Sequence, residues 1–150
     1  MRNCYCFDSP IGKLTVYGDD NVLTRLEFGA AESDTPTPLL RCAARQLEQY
    51  FAGERRFFEL PLQPRGTDFQ LKVWKCLQQI PYGETRSYKQ LSEMAGNPRA
   101  CRAVGGANHC NPLPVFIPCH RAIGSNGRLV GFGGGLHIKK HLLELEQQCR

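Results

Sequence analysis

The chain has 150 residues, 41% of them hydrophobic, and a formal net charge of +5, which is typical of a globular protein with one domain or two small ones. No apolar run approaches the roughly 18 residues of a membrane helix, and no long apolar segment follows Met1 as it would in a signal peptide. Membrane insertion and secretion are therefore not expected.

Cysteine usage favours a reducing, cytoplasmic location. The sequence has eight cysteines but no Cys-x-x-Cys pair, so neither a disulfide framework nor a common zinc motif is indicated. Cys4 and Cys6 form a Cys-x-Cys pair that leaves a zinc site open as an alternative, although no histidine lies near them. We expect no metal and no cofactor.

The basic residues are concentrated in the second half of the chain. Lys and Arg outnumber Asp and Glu by 11 to 5 in residues 67–150, whereas the ratio is 8 to 9 in residues 1–66. A basic half-chain indicates a polyanionic partner such as nucleic acid, and a merely solvated basic surface is the alternative.

The first 66 residues predict a three-stranded antiparallel meander. Candidate strands at 4–7, 13–17 and 22–28 are separated by turn-forming segments that contain Pro, Gly, Asp and Asn. In the third strand, alternation places one set of side chains on a single face: Val22, Thr24, Leu26 and Phe28.

One helix completes this α+β unit. Apolar residues recur at helical spacing from Leu39 to Phe51, and Gly53 is placed to end the helix. Residues 54–66 contain two prolines and a glycine and are interpreted as a linker. We therefore expect a scaffold domain at 1–66 and a second domain at 67–150.

The second domain is predicted to be mostly helical and winged helix-turn-helix-like. Capping boxes begin helices at Thr67 and Ser87. Asn97 followed by Pro98 predicts a third helix that runs to about residue 108. Short helices joined by tight turns resemble a helix-turn-helix, although helical hairpins are common.

The third helix combines arginines with very small residues. Arg99 and Arg102 are three apart, and their neighbours carry almost no side chain: Ala100, Ala103, Gly105, Gly106 and Ala107. Small residues allow a backbone to approach an external surface closely, or to pack tightly on another helix. The sequence leaves both explanations open.

The segment 114–121 carries the most reactive residue types. Three apolar residues predict a short buried strand that ends at Pro118. Cys119 would then lie at the start of a loop, where His120 and Arg121 are expected to lower its pKa. The alternative is that Cys119 is simply a small buried hydrophobic residue.

Two further features follow this segment. The glycine-rich residues 131–135 predict a pocket wall that a planar ligand can approach, and they are not a P-loop because no Gly-Lys-Ser/Thr follows. A last helix carries Ile138, Leu142 and Leu145 inward, and its spacing allows Glu146 to face partly inward.

Several motifs together resemble the O6-alkylguanine-DNA alkyltransferase family. They are DSPIGKL at 8–14, PYGETRSY at 81–88, GNPRACRAVG at 96–105, NPLP at 111–114, IPCHR at 117–121 and the glycine-rich residues 131–136. The matches are densest from residue 67 onward. Proline-Cys-His-Arg after a helix-turn-helix is a specific signature of this family.

The resemblance implies a catalytic group. Cys119 is similar to the alkyl acceptor, and His120 to the base that activates it through a water. Glu146 matches the carboxylate that orients this histidine. Asn111 matches the residue that ties the helix-turn-helix to the active site.

The resemblance also implies substrate and DNA contacts. Around the flipped guanine it places Tyr88, Phe132, Gly133 and Lys139, and on the DNA it places Arg102, Tyr88, Lys89, Asn97, Ser125 and Arg99. Arg102 would enter the base stack in place of the flipped base. Phe132 stands where many relatives have tyrosine, so one hydroxyl contact is lost. The zinc of vertebrate relatives is not expected, because the N-terminal half has no histidine.

These roles imply direct repair of O6-alkylguanine in double-stranded DNA bound through its minor groove, and they leave O4-alkylthymine open as a second substrate. A thiolate would take the alkyl carbon after the nucleotide is flipped out. The product is a thioether, so each monomer would act once. Two alternatives are a module that binds lesions without repairing them and a Cys-His hydrolase.

Overall fold

The computed structural model describes residues 3–31, 34–127, 132 and 134–149. They form two compact units, which meet in the sequence between Arg65 and Gly66. No helix in these ranges is both long enough and apolar enough to cross a membrane.

The first unit is the predicted three-stranded antiparallel sheet with one helix. Strands β1 (Asn3–Ser9), β2 (Gly12–Gly18) and β3 (Leu23–Phe28) lie in sequence order and pair antiparallel, and helix α1 spans Pro38–Phe51. Thr37 caps α1 by accepting a hydrogen bond from the backbone of Leu40. The sheet and the helix bury a shared apolar core, which includes Leu14, Val16, Leu40, Leu47 and Tyr50.

The predicted face of the third strand is correct at Leu26 and Phe28 but wrong at its start, because the strand contains a bulge. Tyr17 pairs with Arg25 but Gly18 pairs with Leu23, so Thr24 is an extra residue on β3. The bulge turns Leu23 into the core, where it is fully buried, while Val22 precedes the strand and is only half-buried.

Part of the predicted linker belongs to the first unit instead. The backbone N–H of Leu23 donates to the carbonyl of Pro61 at 2.8 Å, and that of Gln63 donates to the carbonyl of Leu23 at 2.8 Å. Leu62 therefore forms a parallel bridge with Leu23 at the edge of β3.

The second unit is mostly helical, as predicted. It contains α2 (Asp68–Gln78), α3 (Tyr88–Met94), α4 (Cys101–His109) and α5 (Leu136–Gln148), with a short parallel pair of β4 (Arg86–Ser87) and β5 (Ala122–Ile123). Both predicted capping boxes are present, at the starts of α2 and α3. Trp74 fixes α2 against α4 because its indole N–H donates to the carbonyl of Ala107 at 2.8 Å.

Helix α4 begins three residues later than predicted. The N–H of Ala100 donates to the carbonyl of Asn97 at 3.0 Å, so Asn97-Pro98 starts a turn rather than a helix. Ala100 is the residue before the helix, and no side chain caps it. Arg99 thus lies in the turn, and Arg102 lies in the first turn of α4.

The two glycines of α4 are not sites of close packing against another helix. A Cβ atom added at Gly105 or Gly106 would meet nothing within 4 Å among the described residues. This favours the first of the two explanations, an open helix surface, over close contact with another helix.

The predicted strand at 115–117 is part of a buried turn. Pro114 and Ile117 form a bridge across it, and Val115 has a positive φ of 72°, which an extended strand excludes. The N–H of Ile117 donates to the carbonyl of Leu113 at 2.8 Å. The apolar side chains are nevertheless buried, so burial was predicted correctly and backbone shape was not.

Candidate active site

Cys119 begins a single turn of 3-10 helix that follows this buried turn. The turn spans Cys119–Arg121 and is closed by a 3.0 Å hydrogen bond from the N–H of Arg121 to the carbonyl of Pro118. The Cys119 side chain is 4% exposed and forms no disulfide. Its position at the end of a rigid, packed segment holds the sulfur in a fixed place.

The pKa of Cys119 is raised, contrary to the prediction. Burial raises it to about 11, although a hydrogen bond from Asn111 and the positive charge of Lys139 favour the thiolate. His120 and Arg121 contact Glu146, which explains why they do not supply the expected activation in the resting protein. The resting sulfur is therefore a thiol, and its activation requires a base.

Asn111 joins the end of α4 to the cysteine turn. Its side-chain amide donates to the carbonyl of Ile117 at 2.8 Å, and its carbonyl oxygen accepts from the N–H of Leu113 at 3.0 Å. Its side chain also favours the thiolate form of Cys119. One side chain thus links the end of α4 to the segment that precedes Cys119.

A buried charged cluster lies beside the cysteine. Nε2 of His120 is 2.7 Å from Oε2 of Glu146. Arg121 donates through Nε to Oε1 of Glu146 at 2.8 Å and through Nη2 to Oε2 at 3.0 Å. All three side chains are at least nine-tenths buried.

The cluster has a defined protonation state. Burial raises the pKa of Glu146, but its hydrogen bonds to His120 and Arg121 and the positive charge of Arg121 outweigh burial and hold the pKa well below its usual range. Burial lowers the pKa of His120 more strongly than Glu146 raises it. Glu146 is therefore ionised and His120 neutral. Because Glu146 can only accept, the His120 proton lies on Nε2, which leaves Nδ1 as the basic nitrogen.

The cluster also holds the loop between α2 and β4. The N–H of Gly83 donates to Oε1 of Glu146 at 3.1 Å, and Nη1 of Arg121 donates to the carbonyl of Ile80 at 2.6 Å. Sequence reasoning missed these contacts, since the partners lie 63 and 41 residues apart and no local spacing reveals them. The turn at Tyr82-Gly83 after α2 was the only feature of the local sequence that marked this loop.

Tyr88 and Lys139 lie together near the cysteine. Nζ of Lys139 is 5.9 Å from the centre of the Tyr88 ring. Lys139 is fully buried, and burial lowers its pKa to about 8, whereas Cys119 acts to raise it. Burial likewise raises the pKa of Tyr88. A buried cation beside an aromatic ring can stabilise negative charge that develops on a ligand.

Two further substrate residues were predicted, Phe132 and Gly133. Phe132 is buried, and Gly133 lies outside the described residues. The predicted DNA contacts other than Tyr88 are all exposed side chains of the second unit: Lys89, Asn97, Arg99, Arg102 and Ser125. No three His, Cys, Asp or Glu side chains within the described ranges form a group that could hold a metal ion.

Comparison with known proteins identifies the family of this chain. The family model for the DNA-binding domain of 6-O-methylguanine DNA methyltransferase matches residues 68–148. The model for the ribonuclease-like domain of the same family matches residues 4–64. Together they account for nearly the whole chain.

Individual relatives agree. The chain is 46% identical to the methylated-DNA–protein-cysteine methyltransferase of Methanosarcina acetivorans, with 95% of this chain and 97% of the relative covered. It is 50% identical to that of Mycobacterium tuberculosis, with coverages of 93% and 89%. The crystal structure of Mycobacterium tuberculosis OGT in complex with DNA superposes with a TM-score of 0.91 and 49% identity, covering 97% of this chain and 93% of that one. With both halves matched and the fold shared, this chain belongs to the 6-O-methylguanine DNA methyltransferase family.

Proposed function

We propose that this protein repairs DNA by moving the alkyl group of O6-alkylguanine to the sulfur of Cys119, once per molecule. The observation that carries the proposal is the buried cluster next to this thiol, in which an ionised Glu146 orients a neutral His120. Such a cluster is suited to take one proton from the thiol. Family membership supplies the substrate class.

The thiol needs this base because it is poorly ionised. A thiol with a pKa of about 11 is roughly one part in ten thousand thiolate at neutral pH. In the proposed step, the proton of Cys119 passes to Nδ1 of His120 through a water. Glu146 then stabilises the imidazolium that forms.

The thiolate next attacks the alkyl carbon. The S–C bond forms as the C–O6 bond breaks, and the electron pair of that bond leaves with guanine. Guanine then takes up the proton that His120 received from the thiol, so His120 returns to its neutral form. Lys139 supplies positive charge near the departing oxygen, and Tyr88 contacts the base. The product thioether has no good leaving group, so the protein is consumed.

DNA binding is assigned to the second unit. We infer that α4 enters the minor groove of double-stranded DNA, because its exposed glycine surface leaves room for a close approach. Arg102, on the first turn of α4, would fill the gap left by the flipped nucleotide. Backbone contacts would come from the other exposed predicted residues, Lys89, Asn97, Arg99 and Ser125.

This assignment gives the two parts of the chain different roles. Residues 67–150 bind DNA and accept the alkyl group, and residues 1–66 act as scaffold. We further propose that the protein acts as a monomer in the cytoplasm, where its eight cysteines would stay reduced.

Mass spectrometry after mixing with a duplex that contains O6-methylguanine tests the proposal. We expect each chain to gain one methyl group, which peptide mapping places on Cys119. Cys119→Ala should gain none, whereas Cys76→Ala, at another buried cysteine, should still react. A methylated Cys119→Ala protein would overturn the assignment. Tight binding without a mass change would indicate a lesion-recognition module, and multiple turnover on an ester would indicate a hydrolase.

A further inference from the structure

The turn that follows α2 brings a backbone donor to the buried cluster, and the proposed mechanism does not use it. The N–H of Glu84 donates to the carbonyl of Pro81 at 3.1 Å, and Gly83 has a φ of 80°, whereas the φ of Tyr82 is negative. These features define a type II β-turn with glycine at its third position. Gly83 is buried, and its N–H donates to Oε1 of Glu146 at 3.1 Å.

The type of this turn decides where the N–H of Gly83 points. Type I and type II turns differ by a reversal of the central peptide, which here joins Tyr82 to Gly83. In the type II turn this peptide presents its N–H to the Glu146 carboxylate. In a type I turn it would turn the N–H away and bring the carbonyl of Tyr82 toward a negative charge. Because residues with a side chain resist a positive φ, glycine keeps the turn in the form that makes the contact.

The direction of both hydrogen bonds at Gly83 follows from the groups themselves. A backbone N–H can only donate, and an ionised carboxylate can only accept. The carbonyl of Gly83, which can only accept, meets Nε2 of Gln147 at 2.8 Å. Helix α5 thus holds the same glycine from both sides through two consecutive residues, Glu146 and Gln147.

This contact acts on the carboxylate that orients the base. Oε1 of Glu146 accepts from Gly83 and from Nε of Arg121, while Oε2 lies 2.7 Å from Nε2 of His120. With Oε1 held, Oε2 stays directed at the imidazole. A donor on Oε1 also stabilises the carboxylate charge, which weakens the pull of Glu146 on a second proton at His120. The N–H of Gly83 therefore favours both the orientation and the neutral form of the base.

We infer that Gly83 is a positioning residue for the proton transfer, because its N–H holds the Glu146 carboxylate against His120 and only the glycine turn aims that N–H correctly. The inference rests on the proposed function, since it assumes that His120 takes the proton of Cys119. Gly83 acts through Glu146 and is assigned no contact with the substrate.

Replacement of one backbone N–H by an ester oxygen tests this inference. At Gly83 the change removes the donor and keeps the glycine. The same change at Gly96 is the control, since Gly96 has a similar φ of 78° and its N–H donates to a neutral acceptor, the carbonyl of Glu93, at 3.0 Å. Both glycines lie between Cys76 and Cys101, so ligation of fragments at these two cysteines yields both ester proteins and the unmodified full chain.

The rate of alkyl transfer from free O6-benzylguanine is measured across pH, so that DNA affinity plays no part. We expect the Gly83 ester to move the acid side of the rate profile to higher pH and to slow transfer about threefold or more at slightly acid pH. The reason is that a carboxylate with one donor fewer attracts a second proton to His120 more strongly. The Gly96 ester should keep the profile of the unmodified chain.

The other charged groups of the cluster and its loop, within the described residues, are the same in all three proteins. They are Arg121 and Lys139, which act on the pKa of His120, and Glu84, which pairs with Arg86 at 3.1 Å. A shift of the rate profile therefore reports the lost N–H.

Recombinant variants replace the esters if the ligated chains do not refold. Alanine resists the positive φ equally at both positions, and the Cβ that it adds at Gly96 meets only Nζ of Lys72, at 3.6 Å. We expect Gly83→Ala to shift the rate profile as the ester does and Gly96→Ala to leave it in place. Gly83→Asn should recover part of the loss, because asparagine accepts a positive φ more readily than alanine.

The outcomes are distinguishable. A rate loss that is equal at every pH would make Gly83 a structural residue only and would overturn the inference, as would a profile that matches that of the Gly96 control. In both cases methyl transfer by the wild type would stand. A wild-type protein that transfers no methyl group would overturn the proposed function and this inference with it.

Discussion

Arg121 and Glu146 meet through two nearly parallel hydrogen bonds inside the second unit, with N–O distances of 2.8 and 3.0 Å. Planar guanidinium and carboxylate groups match in this arrangement. The pairing gives Glu146 a permanent countercharge before His120 acquires a second proton. The base therefore stays neutral in the resting protein, ready to accept the thiol proton.

Arg121→Met should destabilise the protein strongly. It leaves the Glu146 carboxylate buried without its cation and removes the donor to Ile80, which should cost about 3–5 kcal/mol of unfolding free energy. Urea denaturation measures this loss. Lys140→Met removes the cation of the exposed Lys140–Glu144 pair and serves as control, with an expected cost below about 1 kcal/mol. Equal losses would contradict a special role for the buried pair.

Stability should fall in acid because of Glu146. Its pKa is lower in the folded protein than the value of about 4.3 in an unfolded chain. The stabilisation that ionised Glu146 provides is therefore fully present above about pH 4.3. It is lost as the pH falls from there toward the pKa of Glu146 in the folded protein. Glu146→Gln should flatten this acid decline in urea titrations at several pH values, whereas Glu144→Gln should keep it. If the stability of Glu146→Gln declines in acid as steeply as that of wild type, other groups cause the decline.

Lys139→Met should stabilise the protein and slow the transfer reaction. Burial of its ammonium group is unfavourable, so the variant should unfold at higher urea than wild type. Wild-type transfer should slow as the pH rises through about 8, where Lys139 loses its charge. In Lys139→Met transfer should be slower at neutral pH, and this alkaline decline should disappear. Persistence of the decline would show that another group causes it.

Gly106→Ala should stabilise the fold and weaken DNA binding. Alanine favours a helix over glycine by about 1 kcal/mol, and the added methyl group meets no described atom. The same methyl group would lie between α4 and the DNA. Denaturation and duplex affinity measure the two effects, and reaction with free O6-benzylguanine is the control that should not change. Undiminished affinity would show that this surface does not face DNA.

Arg102→Ala should impair repair of duplex DNA more than reaction with the free base. The side chain is exposed on α4 and is proposed to fill the space of the flipped nucleotide. Rates on duplex O6-methylguanine and on free O6-benzylguanine give the comparison, with the exposed Arg25 of the sheet changed to Ala as control. The wedge role is contradicted if both substrates lose rate equally.

Local sequence was sufficient to predict most elements of the fold. The capping boxes at Thr67 and Ser87 specify where α2 and α3 begin, since each satisfies the free N–H groups of its own first turn. Alternation and turn residues likewise predicted the meander. The roles of Cys119, His120, Glu146 and the DNA contacts came from resemblance and remain predictions.

Tertiary contacts decided the rest. The bulge at Thr24, the turn at Val115 and the late start of α4 each depend on packing that a short sequence window does not contain. The protonation state of the site is the clearest case. His120 and Arg121 are neighbours of Cys119 in sequence, yet both pair with Glu146, which lies 26 and 25 residues away from them. Burial in the folded core also raises the pKa of the thiol that they were expected to lower.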